Sequence, residues 1–242
     1  MAFAFPKLNM KKIWIVIVSF SLLLTGCINI TEELFLEKDG SGKYSTTINM
    51  EKLQEMMEMM KTYAPDSLKE NDLSAIMQDS IQTMIGDLSK IPGITDVRNE
   101  NPDKNTIIVS FRFKDINALN AALQKRSGKT ANGEYFTYSN GSFSCNDKSI
   151  SGMGDLMSEL SNAGDSLATD DMPKMDAEEM KGMMKMLDWS MKMKTIYHFP
   201  TKVTNFSNKM AKLSEDGKTL TLELDLLDDN KEKTLENRIS LK

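Results

Sequence analysis

Residues 13–24, Ile13-Trp14-Ile15-Val16-Ile17-Val18-Ser19-Phe20-Ser21-Leu22-Leu23-Leu24, form one uncharged apolar run that leads directly into Thr25-Gly26-Cys27. A permanent membrane span needs about 20 apolar residues, so this run is too short and spanning is the weaker reading. Ahead of it Lys7, Lys11 and Lys12 stand without an acid, the basic flank of an export signal. A start at Met10 leaves Lys11-Lys12 in that role and the same conclusion. Residues 1–26 therefore read as a cleaved signal peptide, and the folding body is confined to residues 27–242, outside the cytoplasm.

The small pair before the cysteine adds a second constraint. Leu24-Thr25-Gly26-Cys27 resembles the lipobox of bacterial lipoproteins, in which the peptidase holds an extended chain close to its own backbone. An ordinary secretory signal followed by a chance cysteine is the alternative. The resemblance implies covalent diacylglycerol and an N-acyl chain such as palmitate on Cys27, and no other cofactor. A single acyl chain binds only marginally, at about 0.8 kcal/mol per buried methylene, whereas two or three anchor firmly. Ile28 follows the cysteine where an acid would retain the resembling Gram-negative lipoproteins in the inner membrane. The expectation is a cell-membrane lipoprotein of the envelope, on the periplasmic face of the outer membrane.

Losing the three lysines of the signal takes the formal charge from −5 to −8. An acidic body argues against nucleic acid and against spreading on anionic lipid by charge alone. The length suffices for one sizeable core. With Cys27 carrying lipid, Cys145 has no second cysteine to pair with, and a buried unreactive thiol is favoured over a redox role.

Along the body, residues 28–37 alternate with Ile28, Ile30, Leu34 and Leu36 on one face, which predicts a half-buried strand. Asp39-Gly40-Ser41-Gly42 is turn chemistry, and Tyr44, Thr46, Ile48 and Met50 predict its partner strand. Leu53, Met56, Met57 and Met60 repeat at helical spacing over 51–63. A longer helix is predicted from Leu73 to Ile91, stopped by Pro92-Gly93. Hairpins follow around Asn101–Asn105 and Asn140-Gly141, with a helix capped by Asp115 over 116–125 between them. Residues 146–175 are rich in Ser, Gly, Asp and Met without periodicity and read as a flexible excursion. Asp176 and Glu179 fit a capping box for a helix through Leu187, then Trp189, Met191, Met193 and Tyr197 alternate in a strand ending at Phe199-Pro200. Residues 203–213 and 220–226 predict a last hairpin around Asp216-Gly217, and Ile239 and Leu241 a short closing strand. The expectation is a single α+β domain, a largely antiparallel sheet of hairpins packed by three to four helices.

Chemistry-bearing patterns are sparse. His198 is the one histidine, at a strand end with no evident orienting partner, so a His-based triad or multi-His metal site has nothing to draw on. Twenty methionines are the oddity, clustering at Met56, Met57, Met59 and Met60, at Met183, Met184 and Met186, and at Met191 and Met193. Thioethers suit Cu(I), which makes a Met-rich periplasmic copper-binding protein the alternative reading. Most of these residues lie at core-facing spacing, where Met fills irregular gaps. A Met-lined groove that accepts acyl chains uses the same softness.

The order of elements resembles the LppM-type bacterial lipoproteins. The resemblance is carried by the lipobox with its immediate strand, by Glu37-Lys38-Asp39-Gly40-Ser41-Gly42-Lys43, by Tyr197-His198-Phe199-Pro200-Thr201-Lys202-Val203, and by Asp216-Gly217-Lys218-Thr219-Leu220. It implies a non-enzymatic α+β domain with a link to lipid binding. Many of that type add a C-terminal membrane helix, which the residues up to Leu241-Lys242 do not form, so attachment is expected to depend on Cys27. The expected function is that of a non-catalytic, lipid-anchored envelope protein that binds lipid, an apolar ligand or an envelope protein partner.

Overall fold

The structure is a computed structural model that describes residues 27–49, 51, 73–103, 105–126, 134–146, 182, 190–226 and 234–242, with the backbone alone at 27, 28, 73–80 and 190. Ten residues after the predicted signal, Cys27–Leu36, form strand β1, and the Asp39-Gly40 turn returns the chain as β2, Gly42–Asn49. Gly40 sits at φ +86°, a conformation that a side chain disfavours. Gly42 is required for another reason: a Cβ there would meet the Phe35 carbonyl and the Phe113 ring at 2.0 and 2.6 Å. Helix α1, Leu73–Leu88, leads to the hairpin of β3, Ile94–Asp103, and β4, Thr106–Phe113. Helix α2, Ile116–Arg126, starts where Asp115 Oδ1 accepts from the Ala118 N–H at 2.8 Å, the cap that the sequence predicts.

Strands β5, Phe136–Ser139, and β6, Ser142–Cys145, turn through Asn140 and Gly141, both at positive φ. Then come β7, Ser190–His198, β8, Val203–Phe206, β9, Lys212–Leu213, β10, Thr219–Asp225, and β11, Asn237–Leu241. Seven strands form one sheet in the order β3-β4-β2-β1-β7-β10-β9, and four form a second in the order β5-β6-β11-β8. The pairing of β1 with β7 is parallel, and every other pairing is antiparallel.

This corrects the expected α+β class of one sheet under three to four helices. Among the described residues there are eleven strands in two sheets and two helices, a mainly β body. Two of the expected helices, over 51–63 and 176–187, lie outside the described residues except at Glu51 and Gly182, as does the excursion at 146–175 except at Asn146. The strand share is also larger than alternation indicates. Strand β3 continues to Asp103 through two irregularities in its pairing, one of them at Asp96, where φ is +53°. The predicted strand over 203–213 is two strands in different sheets. It breaks at Ser207-Asn208, whose N–H groups both donate to Asn237 Oδ1, at 3.1 and 3.0 Å. Residues 237–241 are an inner strand, between β6 and β8.

The inner face of the large sheet carries Leu34, Leu36, Tyr44, Phe111, Phe113, Tyr197 and Leu220, all buried. Against it pack Leu119, Ala122 and Leu123 of α2 and the second sheet's Phe136, Phe143 and Ile239. Rings of Phe136, Phe143, Tyr197 and Phe199 meet at centroid distances of 5.4–6.4 Å, within the range of favourable aromatic pairs. Asn120, 5% exposed, ties α2 to the second sheet's edge: its Nδ2 donates to the Phe136 carbonyl at 2.8 Å and its Oδ1 accepts from the Phe136 N–H at 2.9 Å. The side chain thus satisfies an edge strand in place of a neighbouring backbone. Asn120→Leu strands two buried backbone groups at about 1–3 kcal/mol each, so a loss of about 2–4 kcal/mol is expected in urea unfolding. A loss below about 0.5 kcal/mol shows that the clip is not made.

Candidate functional site

Cys27 is the first residue of β1, in register with Ser190 of β7. No linker separates the predicted acylation point from the sheet. Leu24, Thr25 and Gly26, and the methionines Met56, Met57, Met59 and Met60, lie outside the described residues. Cys145 is 3% exposed and shares the core with Tyr197, whose hydroxyl burial and the neighbouring Cys145 push well above the usual phenol range. Its burial fits the inert thiol reading. Met191 and Met193 are 1% and 3% exposed, inside the core, and so are closed to a solvent ion.

The structure supplies a site at the opposite end of β1. Alternation puts Glu33 and Phe35 of β1, His198 of β7 and Thr219 of β10 on the outer face of the large sheet, because Leu34, Tyr197 and Leu220 between them point inward. His198 Nε2 meets Glu33 Oε1 at 2.7 Å, and His198 Nδ1 meets Thr219 Oγ1 at 3.1 Å. The imidazole also stacks on Phe35, with ring centroids 4.1 Å apart and planes 6° from parallel. The orienting partner missing from the sequence reading is therefore Glu33, 165 residues away. Both residues stand on the polar side of alternating strands, but only the parallel register, Phe35 opposite His198, brings them together.

A carboxylate, an imidazole and a hydroxyl in series is the order of a nucleophilic triad. Two neighbouring backbone donors are already engaged. The Thr219 N–H donates to Ser214 Oγ at 2.9 Å and the Lys218 N–H to Asp216 Oδ1 at 3.0 Å, so neither is free to receive an oxyanion. Among the described residues no group of three or more His, Cys, Asp or Glu side chains could hold a metal ion. What the arrangement does is join β1, β7 and β10 across the outer face.

Charge around this end is set by turns. The Ser214 hydroxyl and the Lys218 N–H hold the Asp216 carboxyl below the usual carboxylate range, and Ser41 does the same for Asp39. Folded values below the unfolded one stabilise the protein above about pH 4 and lose that stabilisation as pH falls through the folded values. The melting temperature is thus expected to fall below about pH 4, and less steeply in Asp216→Asn than in the parent; parallel curves show that Asp216 contributes nothing. Removing the ring of His198 by alanine substitution should cost about 0.5–2 kcal/mol through the lost stack and hydrogen bonds, with fluorogenic ester hydrolysis at background before and after. Hydrolysis by the parent that Thr219→Val abolishes overturns the structural role.

No family model matches the chain, and no curated protein matches it. Among solved structures, the chain is similar to the folded domain of the Mycobacterium tuberculosis LppM protein, determined by NMR. The TM-score is 0.38 at 11% identity, over 90% of this chain and 92% of that one. A likeness at this level carries no argument about function.

Proposed function

We propose that the protein is a non-catalytic envelope lipoprotein, held at the periplasmic face of the outer membrane by acyl chains on Cys27, whose body binds lipid, another apolar ligand or an envelope protein partner. The observation that carries this reading is the absence of slack between anchor and fold: strand pairing begins at Cys27 itself, on both sides of the chain within two residues. An anchored sheet with so little reach works at the membrane that holds it. Among the described residues no helix is long and apolar enough to cross a membrane, so the attachment in this reading comes from the lipid.

The inner face supports the lipid version. A cross-strand row of Val109, Thr46, Glu32, Thr195 and Leu222 runs across it, with the aromatic rings on one side. On the anchor side lie Ile30, Ile48, Met193, Met191 and Leu224, flexible or aliphatic groups without a ring among them. Met191, Met193 and Leu224 are buried, so an acyl chain enters there only if they part, and thioethers adapt to its shape. The copper alternative gains nothing from Met191 and Met193, which are closed to solvent.

In cells fed an alkynyl fatty acid, the parent should carry the label and sediment with membranes, and Cys27→Ala should lose both. Label retained in Cys27→Ala removes the anchor. Transfer of a fluorescent phospholipid from vesicles to the detergent-free anchor variant supports the lipid version, whereas no uptake leaves a protein partner as the surviving form.

A further inference from the structure

The outer face of the large sheet bears charges, and their signs are not evenly arranged. On β7 and β10, Lys194 stands opposite Glu223 and Lys192 opposite Asp225, the complementary order that stabilises a sheet. At the end far from Cys27 the order breaks. Lys43 of β2 stands directly opposite Arg112 of β4, both exposed and neither in an ion pair among the described residues. Like charges placed opposite one another destabilise a sheet. Guarding an edge does not explain them, because β2 and β4 are inner strands. Next in the same row is Phe35, opposite Lys43 and 38% exposed, backed by the His198 ring. Glu33, the nearest acid on β1, is engaged by His198 at 2.7 Å.

We propose that the row Arg112-Lys43-Phe35-His198 binds an acidic polysaccharide. Two features favour this partner over other anions. The row crosses the strands, so its side chains repeat at about 4.8 Å, close to the length of one sugar ring in a linear glycan. The two unpaired cations match carboxylates on successive sugars, and the exposed ring offers an apolar surface to the carbon-bound hydrogens of the next. The adjoining row holds Ser110, Ser45, Glu33, Ile196 and Thr221, with both serines buried and Glu33 engaged by His198, so contact is confined to the first row. The position also separates the row from the anchoring bilayer. Phe35 is eight residues along β1 from Cys27, about 26 Å at the rise of a strand, so its own leaflet's headgroups are not the natural occupant. That last step rests on the anchor reading, while the binding itself does not.

The test uses the full-length protein in neutral detergent micelles, run in gels containing alginate, dextran or polyglutamate and mixed with micelles of anionic phospholipid. Alginate is expected to retard the parent, and dextran and polyglutamate to leave it unchanged. Lys43→Gln with Arg112→Gln should weaken retardation at least tenfold, Phe35→Ser several-fold, and Lys194→Gln on the same face not at all. The paired substitution should also raise the melting temperature by relieving the repulsion, which a merely structural role for the two cations does not predict. Retardation that survives the paired substitution overturns the proposal, as does equal retardation by polyglutamate or a stronger response to anionic micelles. Because fatty-acid labelling at Cys27 is read separately, failure here and failure of the anchor are distinguishable.

Discussion

The parallel pairing of β1 with β7 is the contact on which the rest of the body depends. Strand β1 is the middle strand of seven; β2, β4 and β3 extend the sheet on one side of it, and β7, β10 and β9 on the other. The first group comes from residues before Phe113 and the second from residues after Ser190, so the two halves of the chain meet along this seam. A parallel pair has no tight turn to set its register, and something else must fix it. On the inner side that is Leu34 against Tyr197, both at most 2% exposed. On the outer side it is the Phe35–His198 stack and the Glu33–His198 contact. A slip of β7 by one residue would bury His198 and expose Tyr197.

The second sheet depends on that seam in turn. Its rings Phe136 and Phe143 pack on Tyr197, and Phe143 packs on Phe199 just beyond the end of β7. Its edges are short and covered by polar side chains: Asn120 holds β5, and Asn237 and Asn208 tie the turn after β8 to β11 and the residues before it. Asparagine serves these places because its amide both donates and accepts, which matches an exposed backbone unit. Two sheets of unequal size thus share one core.

What the sequence made legible was local. The Asp39-Gly40 and Asn140-Gly141 turns, the Asp115 cap and the alternation of Ile107, Val109, Phe111 and Phe113 all act within a few residues, where turn geometry, capping and pleat leave few choices. The sheet assignment of β8 and β11 was not legible, because Val203 and Ile239 are apolar in either sheet and only the distant Asn237 decides where the chain bends. For the same reason the site on the outer face was hidden. His198 looks unsupported in sequence because Glu33 and Thr219 reach it through strand order, and strand order is settled by the packing of Tyr197.

The two faces of the large sheet then divide the work by chemistry. The inner face is buried along its length, with packed rings at its far end and aliphatic and methionine side chains toward Cys27, past Thr46, Glu32 and Thr195. The outer face runs the other way. Toward Cys27 its charges are arranged in complementary pairs, and only at the far end do two cations stand together beside an exposed ring. A protein selected for stability alone would place an acid opposite Lys43, since Arg112 there costs cohesion without filling any space in the core. The polarity of β1 orders both gradients along one axis: an aliphatic end at Cys27, and a cationic end about one strand length away from it.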